Sequence, residues 1–322
     1  METVRIGGKK YSDPDVISLI RATGSFIDPR SSVLSQARNL IEKLELFTDV
    51  PNDAIQRLSI LASFMGISVL PMDVERRKTE KRDAILVTTQ TSRLILYNPN
   101  RPPSRVAFSI AHEISHAFFP NSIVGARFRT ICESTSREAN ELERLCDLGA
   151  SELLMPITLF QQAVNGKYSL SSVGRLCDVF GGSVEATTFR LATAHPGIAA
   201  AGLLRYRLRL DEARRSSKRN QGSLFRSEGG DVLQAPSARY RRQSIYFSEA
   251  CGDNLMVRWN KSFDESSCVY QAGVGDGIHV GAETLPNGSD IAGRLEAMQA
   301  PYQREDAHPL FADVLFFWTP DL

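Results

Sequence analysis

The chain has 322 residues, which is long enough for two domains or for one large core with an appendage. Hydrophobic residues make up 42% and charged residues 23%, proportions that are ordinary for a soluble globular protein. The formal net charge is +1, so no overall field attracts nucleic acid or membrane, and any basic surface must be local.

Three further features predict a cytoplasmic protein that does not enter a membrane. The first fifteen residues contain no apolar segment of the kind that a secretory signal requires. The longest purely apolar stretches, such as 198–204, are far too short to cross a bilayer. The five cysteines form no Cys-x-x-Cys pair, which argues against a disulfide framework and a cysteine zinc knuckle and favours reduced thiols.

Apolar spacing and turn residues predict the elements of the N-terminal third. Apolar residues recur at helical spacing in two segments, and two β-rich runs separated by a short polar break predict a hairpin. The predicted elements, in chain order, are a polar arm with one short helix over 1–30, helices over 31–46 and 54–65, and strands over 67–71, 84–89 and 93–97.

Two longer helices are predicted after the hairpin. The prolines at 102 and 103 stop the preceding strand, and Ser104 is placed to cap a helix over 105–119. The run 135–138 has the form of a capping box, which predicts the start of a second helix that ends at Met155-Pro156.

The C-terminal half predicts two short helices followed mainly by strands. The second helix of the pair offers only Arg190 as a basic residue that could contact bases, so we interpret the pair as a packing element rather than a DNA-binding helix-turn-helix. The predicted elements are a helix pair over 169–194 broken at Gly181-Gly182, a strand over 204–210, a polar linker over 211–237, strands at 244–248, 254–259 and 268–270, and a buried apolar segment over 310–318.

The segment His112-Glu113-Ile114-Ser115-His116 lies within the predicted helix over 105–119. Residues four apart on a helix differ by about 40° around its axis, so the two imidazoles project side by side and are spaced to chelate one Zn²⁺. Glu113 lies about 100° from His112, at the edge of the same face, where it can act as a general base toward an attacking water. The pattern therefore predicts a zinc site that hydrolyses a peptide bond.

A His-Glu-x-x-His string alone is a weak signal, because about one chain in a hundred of this length contains one by chance. A catalytic zinc also needs a third protein ligand. The next long helix carries Glu143 and, one turn on, Asp147. We predict that Glu143 is the third ligand and that Asp147 accepts a hydrogen bond from the free N–H of a ligand histidine. The alternative is that both are solvated acids, and the histidine pair makes it the weaker interpretation.

Two runs carry a resemblance to a known family. Arg105-Val-Ala-Phe-Ser-Ile-Ala-His-Glu-Ile-Ser-His-Ala117 and Glu143-Arg-Leu-Cys-Asp-Leu-Gly-Ala-Ser-Glu-Leu-Leu-Met-Pro156 resemble the ImmA/IrrE metallopeptidases. Cys146 replaces the alanine usual there, Gly149 replaces phenylalanine, and Ser115 stands where glycine is common. Gly149 suggests a repacked helix contact, and we interpret Cys146 as a buried helix residue rather than a metal ligand.

The resemblance implies an α+β fold with a minimal thermolysin-like (gluzincin) metallopeptidase core and helical additions. It implies His112, His116 and Glu143 as ligands of Zn²⁺, with Mn²⁺ as an alternative in vitro, and Glu113 as the catalytic base. Asp147 stands at the position of an asparagine outside the ligand set. The domains expected are an N-terminal arm (1–30), the metallopeptidase domain (31–200), a strand and polar linker (201–237) and a β-rich regulatory or sensor domain (238–322).

The resemblance also implies regulatory proteolysis. Such enzymes cleave a helix-turn-helix repressor, often encoded nearby, and so derepress mobile-element, stress or DNA-damage genes. The first 30 residues hold no such repressor, so the expected partner is a separate protein substrate.

Two interpretations of another class stay open. The chain could be a non-proteolytic zinc-containing DNA-binding or signalling module, or an antitoxin-like interaction protein, although a purely structural metal site has no need of Glu113. Direct nucleic-acid binding through Arg205–Arg219 is the weaker possibility. We interpret the arginines at 205, 207 and 209 as the solvent-exposed side of a strand. The remaining arginines up to 219 are interpreted as part of a solvated linker, with phosphate contact as the alternative.

Overall fold

The computed structural model describes residues 2–24, 27–44, 53–73, 83–89, 91–120, 137–209, 212, 238–252, 261–286, 291–302 and 308–320. The chain divides into two compact units, of which one comprises 1–163 with 175–183 and the other 164–174 with 184–322. Helices and sheets both occur, so the α+β class is confirmed. None of the described helices is long and apolar enough to cross a membrane.

The first unit contains a short hairpin, a mixed three-stranded sheet and the helices around it. The sheet has the order β3-β5-β4, in which β3 and β5 are parallel and β4 and β5 antiparallel. The elements are β1 (Val4–Ile6), β2 (Lys9–Tyr11), α1 (Pro14–Thr23), α2 (Pro29–Lys43), α3 (Ala54–Phe64), β3 (Ile67–Pro71), β4 (Ala84–Thr88), β5 (Arg93–Tyr97), α4 (Pro103–His116), α5 (Arg137–Leu154), α6 (Ile157–Val164) and α7 (Val173–Phe180).

Aspartates and prolines determine where several of these helices begin. Asp13 and Asp53 cap α1 and α3, since each side chain accepts hydrogen bonds from two N–H groups of the first turn. Helix α4 begins at Pro103 with no side-chain cap bond, so the prediction that Ser104 caps this helix is wrong. The fixed φ of a proline suits the first helical position, so the helix starts at Pro103. Ser104 then lies inside the first turn rather than at the capping position.

Helices α4 and α5 pack against each other and form the centre of this unit. The apolar face of α4 is fully buried, and so is that of α5. The residues concerned are Val106, Ala107, Ile110, Ala111 and Ile114 on α4, and Leu142, Leu145, Cys146, Ala150, Leu153 and Leu154 on α5. This packing fixes the two helices that carry every predicted site residue.

Two departures from the ImmA/IrrE pattern meet where α4 and α5 cross. A Cβ atom added at Gly149 would lie 2.6 Å from Ser115 Oγ, 3.0 Å from Ser115 Cβ and 3.0 Å from Val33 Cγ1. The crossing therefore has no room for a side chain at 149 while serine occupies 115. The glycine and the serine are therefore sterically complementary in this chain.

We expect Gly149→Ala to destabilise the protein. Overpacking costs about 1–3 kcal/mol, which outweighs a gain in helix propensity of up to about 1 kcal/mol. Ser115→Gly in the Gly149→Ala background should recover part of the loss. Urea unfolding measures both, with Gly174→Ala as the control, since that glycine is exposed and nothing lies within 4 Å of its added Cβ. A Gly149→Ala variant as stable as the parent would contradict the steric account.

The second unit is built on a five-stranded antiparallel sheet of order β7-β6-β10-β9-β8. One face of the sheet packs against the helix at 184–194, with Leu203 and Leu315 near Val184 and Phe189. The other face carries a larger apolar and aromatic cluster. The elements are α8 (Val184–Ala194), β6 (Ala200–Arg207), β7 (Arg239–Phe247), α9 (Cys268–Val274), β8 (Ile278–Thr284), β9 (Ala292–Gln299) and β10 (Val314–Pro320).

Two predictions for the C-terminal part need correction. Residues 268–270 form the start of helix α9 rather than a strand, because Ser267 accepts a hydrogen bond from the N–H of Val269 and caps a helix. The closing apolar segment is buried along β10, but Leu310 at its start is 72% exposed. The predicted helix pair is confirmed, with α7 and α8 separated at Gly181-Gly182.

Several predictions fall outside the described residues. These are the side chains of the capping box at 135–138, the polar linker at 211–237 apart from residue 212, and the strand at 254–259. None of the four described cysteines forms a disulfide. The four-part domain division stays a prediction.

Candidate metal centre

Five predicted site residues lie on the two crossing helices. Helix α4 supplies His112, Glu113 and His116, and α5 supplies Glu143 and Asp147. On each helix the residues are four apart, with Glu113 beside the first histidine, so that each set faces one side. Because α4 and α5 pack against each other, the two sets meet.

Three potential ligand groups converge closely. His112 Nε2 lies 3.1 Å from His116 Nε2 and 3.1 Å from Glu143 Oε2, and His116 Nε2 lies 3.8 Å from Glu143 Oε1. A tetrahedral zinc ion with bonds of about 2.0–2.1 Å separates its ligand atoms by about 3.3 Å. Two imidazole nitrogens and one carboxylate at this spacing form a donor set that fits zinc with one position left for water.

Asp147 lies on the outer side of His112. Its Oδ1 is 2.9 Å from His112 Nδ1, the ring nitrogen that faces away from His116 and Glu143. A proton on Nδ1, donated to this carboxylate, leaves Nε2 with its lone pair directed toward the other two groups. Once Nε2 has lost its proton, the contact therefore keeps the remaining proton on Nδ1, as a metal ligand that binds through Nε2 requires.

Cys146 contacts the Nδ1 atom of His116, as Asp147 contacts the Nδ1 atom of His112. Its buried Sγ lies 3.1 Å from His116 Nδ1. The thiol and the two imidazoles come within 4.8 Å of one another, so a His-His-Cys metal site is an alternative donor set. However, Sγ contacts the nitrogen opposite to the one that faces His112 and Glu143. Cys146 therefore lies where it can orient His116, and Glu143 lies where it can complete a set of three donors with the two imidazoles.

The sequence predicted only that Cys146 is a buried helix residue, and the structure also places its thiol against His116. Cysteine three residues after a ligand glutamate lies on the same helix face, and this spacing is the signal that identifies it. A sulfur acceptor is weak, so its main effect is on the orientation of the ring.

Glu113 points toward the sheet. Its Oε2 accepts a hydrogen bond of 2.9 Å from the N–H of Leu86, in strand β4. Strand β4 is at the edge of the sheet, and its pairing with β5 uses the odd-numbered residues, as in the bonds from Asn98 N to Asp83 O and from Thr89 N to Ser92 O. The N–H of Leu86 therefore points away from β5, and it binds the Glu113 carboxylate at the outer edge of β4 in the described sheet.

The carboxylates around His112 change its pKa. Burial of the imidazole lowers the pKa, but hydrogen bonds to Asp147 and Glu143 and the charges of Glu113 and Asp147 outweigh this, and the pKa rises to about 10. Without a metal ion, His112 therefore carries two ring protons at neutral pH. A metal ion that binds its Nε2 must displace one of them.

Metal binding should consequently release protons. We expect release of about one proton per metal ion at pH 8, because His112 loses its Nε2 proton when the metal ion binds. The affinity for the metal ion should fall as the pH is lowered, because protons compete with the metal ion for Nε2. Calorimetric titration in buffers of different ionisation enthalpy measures the number released. An enthalpy that does not depend on the buffer would contradict the assignment of His112 as a ligand.

Comparison with known proteins agrees with this geometry. Residues 62–192 match a peptidase family whose model is described as Peptidase_M78, the IrrE N-terminal-like domain. The chain carries an ImmA/IrrE-family peptidase domain. This domain contains α4, α5 and all five residues of the candidate centre, together with the edge strand β4.

A comparison of folds extends beyond the peptidase domain. The structure is similar to that of a Mycobacterium tuberculosis transcriptional regulator, with 15% sequence identity and a TM-score of 0.51, over 95% of this chain and 81% of that one. At this identity the likeness shows the fold alone. No curated protein sequence matches the chain.

Proposed function

We propose that this protein is a zinc-dependent endopeptidase that cleaves a regulatory protein, a helix-turn-helix repressor, and so derepresses mobile-element or stress-response genes. The observation that carries the proposal is the convergence of His112 Nε2, His116 Nε2 and a Glu143 oxygen at 3.1–3.8 Å. It lies in a domain of a peptidase family, with Glu113 adjacent in sequence.

In the proposed hydrolysis of a peptide bond, each residue of the candidate centre has a separate role. His112, His116 and Glu143 would hold the metal, which when bound supplies Lewis-acid polarisation and lowers the pKa of water to about 7. Glu113 accepts a proton from the attacking water and delivers it to the leaving nitrogen of the peptide. Asp147 and Cys146 keep the two imidazoles in orientation.

Strand β4 supports an extended polypeptide as the substrate. The backbone groups of Ala84, Leu86 and Thr88 point away from β5, at the edge of the sheet that Glu113 contacts. A substrate segment that pairs with this edge would run alongside the catalytic base.

The remaining parts of the proposal concern the fold of the peptidase core, the cellular location and the C-terminal unit. We infer a thermolysin-like peptidase core, a cytoplasmic location and a regulatory role for the C-terminal unit. None of the four described cysteines forms a disulfide, as expected of a reducing compartment. The structural neighbour is a transcriptional regulator, which supports a regulatory setting without identifying a substrate.

The test is a cleavage assay with a helix-turn-helix repressor encoded near this gene, which the proposal expects to exist. The purified full chain is incubated with that repressor, with Zn²⁺, with Mn²⁺ and with a chelator. We expect a defined product that requires the metal ion. If the protein binds zinc and the repressor but leaves the repressor intact, the alternative of a non-proteolytic signalling module is correct.

A further inference from the structure

The second unit contains a small open cavity between the segment 166–169 and strands β9 and β10, which we call the β9–β10 cavity. Its volume is about 270 Å³, just below the range of about 300–1,000 Å³ that is typical of pockets for drug-sized ligands. The cavity therefore has the size for a small metabolite. Its lining residues are Gly166, Lys167, Tyr168, Ser169, Arg294, Glu296, Phe317 and Thr319.

Two neighbouring cross-strand pairs form the sheet side of the cavity. Arg294 of β9 lies opposite Thr319 of β10, and Glu296 lies opposite Phe317. Residues two apart on a strand point to the same face of the sheet, so the four side chains share one face. Phe317 and Glu296 are 2% and 3% exposed, whereas the side chain of Arg294 is 60% exposed. The cavity thus runs from a charged mouth to the buried interior of the unit.

The buried carboxylate of Glu296 holds the two sides of the cavity together. Its Oε2 accepts hydrogen bonds of 2.7 Å from Ser169 Oγ and 2.7 Å from the N–H of Leu170. Its Oε1 lies 2.9 Å from Arg294 Nη2. Because both carboxylate oxygens are engaged, Glu296 fixes the segment over the sheet and positions the guanidinium beside the cavity.

The two aromatic residues of the cavity are held in place by the same histidine. The hydroxyl of Tyr168 donates a hydrogen bond of 3.0 Å to the carbonyl oxygen of Ala194, and its ring meets that of His195 edge-on at 4.6 Å. The ring of His195 also lies 6.2 Å from that of Phe317. Aromatic side chains that are already ordered offer apolar contact area at little cost in conformational entropy. This side of the cavity therefore favours a ligand with a planar apolar part.

The charges at the cavity leave a surplus of one positive charge. Lys167 and Arg294 are cationic, and the carboxylate of Glu296 balances one of them. Lys167 is exposed, and no residue in the described part of the chain forms an ion pair with it. A guanidinium has five N–H donors, so Arg294 keeps donors beyond the one that Glu296 accepts. A ligand with one negative charge is therefore complementary to the mouth of the cavity.

We infer that the β9–β10 cavity binds a small organic carboxylate with a planar apolar part. The carboxylate of the ligand faces the ammonium of Lys167 and the remaining N–H groups of Arg294, and the apolar part lies against Tyr168 and Phe317. A phosphate monoester carries about 1.5–2 negative charges at neutral pH, which exceeds the surplus at this site. The inference concerns the second unit alone and does not rest on the peptidase activity.

Benzoate is the probe for this site. A saturation-transfer difference NMR titration of the full chain, at constant ionic strength, should show saturable binding. Benzamide has nearly the same shape without the charge, so it should bind about fivefold more weakly, as expected for the loss of a partly exposed ion pair. Inorganic phosphate at the same ionic strength should not displace benzoate, because it offers nothing to the aromatic side of the cavity.

Two variants test the charge and the space separately. Lys167→Gln should weaken the binding of benzoate by about fivefold. The matched control is Lys10→Gln, an exposed lysine on strand β2 of the first unit, which should leave the affinity unchanged. Thr319→Phe puts a larger side chain into the cavity and should abolish the binding of benzoate. Phenylalanine suits a strand, so the Tm of this variant without ligand should stay close to that of the parent protein.

Three results would overturn the inference. The first is no saturable binding of benzoate to the parent protein. The second is an equal affinity for benzamide, or displacement of benzoate by phosphate, since either would remove the selectivity for an organic carboxylate. The third is an unchanged affinity for benzoate in a folded Thr319→Phe variant, which would place the bound benzoate elsewhere, for instance on a metal ion in the first unit.

Discussion

Replacement of Glu113 by glutamine is expected to stop cleavage of the repressor while the metal ion stays bound. Glutamine has the same shape and keeps an oxygen that can accept the hydrogen bond from the N–H of Leu86. It cannot take up a proton from the attacking water, and loss of a general base reduces a rate by about 10²–10⁴-fold. Single-turnover cleavage, followed on a gel together with the metal content of each preparation, measures both consequences.

The matched control for this variant is Glu42→Gln. Glu42 is an exposed acid on helix α2, so its replacement makes the same charge change outside the candidate centre. It should cleave at the parent rate. Cleavage that persists in Glu113→Gln would exclude the proposed role of the glutamate, even if the metal ion is present.

The double variant His116→Ala, Glu143→Ala should lose the metal ion. It removes two of the three groups that converge within 3.8 Å, and the remaining histidine is a single ligand. Because loss of an outer hydrogen bond alone costs about 10–100-fold in metal affinity, loss of two ligands should cost more than about 100-fold. Asp147→Asn should fall within the smaller range, since Asp147 contacts only the outer nitrogen of His112.

Elemental analysis after dialysis gives the metal content of each variant. His308→Ala is the control, since this histidine is exposed and belongs to the second unit. It should retain the metal content of the parent protein. Full retention of metal by the double variant would show that the ion binds elsewhere.

The sequence predicted the members of the centre because helical spacing is a local property. His112 and His116 face one side of any helix that contains them, and the same holds for Glu143 and Asp147. The need of a catalytic zinc for a third ligand then linked the two helices. The distances between them depend on how α4 and α5 cross, which spacing along the chain does not determine.

Tertiary packing also explains the contacts in and near the centre that the sequence did not predict. The contact of Cys146 with His116 and the complementarity of Gly149 with Ser115 arise only where α4 and α5 meet. The hydrogen bond from Leu86 to Glu113 depends on which strand forms the sheet edge. The spacing of Cys146 from Glu143 places the two residues on one helix face, but no sequence pattern specifies the contacts that they make with another helix or strand.

Local pattern was ambiguous where short segments fit two structures. Cys268, Val269 and the following tyrosine suit a strand by composition, yet the cap from Ser267 makes them helical. The alternation of apolar residues and arginine predicted a strand over 204–210, of which 204–207 belong to β6 (Ala200–Arg207). It could not show that a second arginine-rich strand pairs with β6 in register.

A zinc-edge crystal structure of the protein grown with Zn²⁺ locates the ion and its ligands in one measurement. The account predicts one anomalous peak about 2.0–2.2 Å from Nε2 of His112, Nε2 of His116 and a carboxylate oxygen of Glu143. Cys146 Sγ should then lie outside the ligand set, against Nδ1 of His116. A peak about 2.3 Å from Cys146 Sγ with Glu143 displaced, or no peak between the two helices, would contradict the assignment.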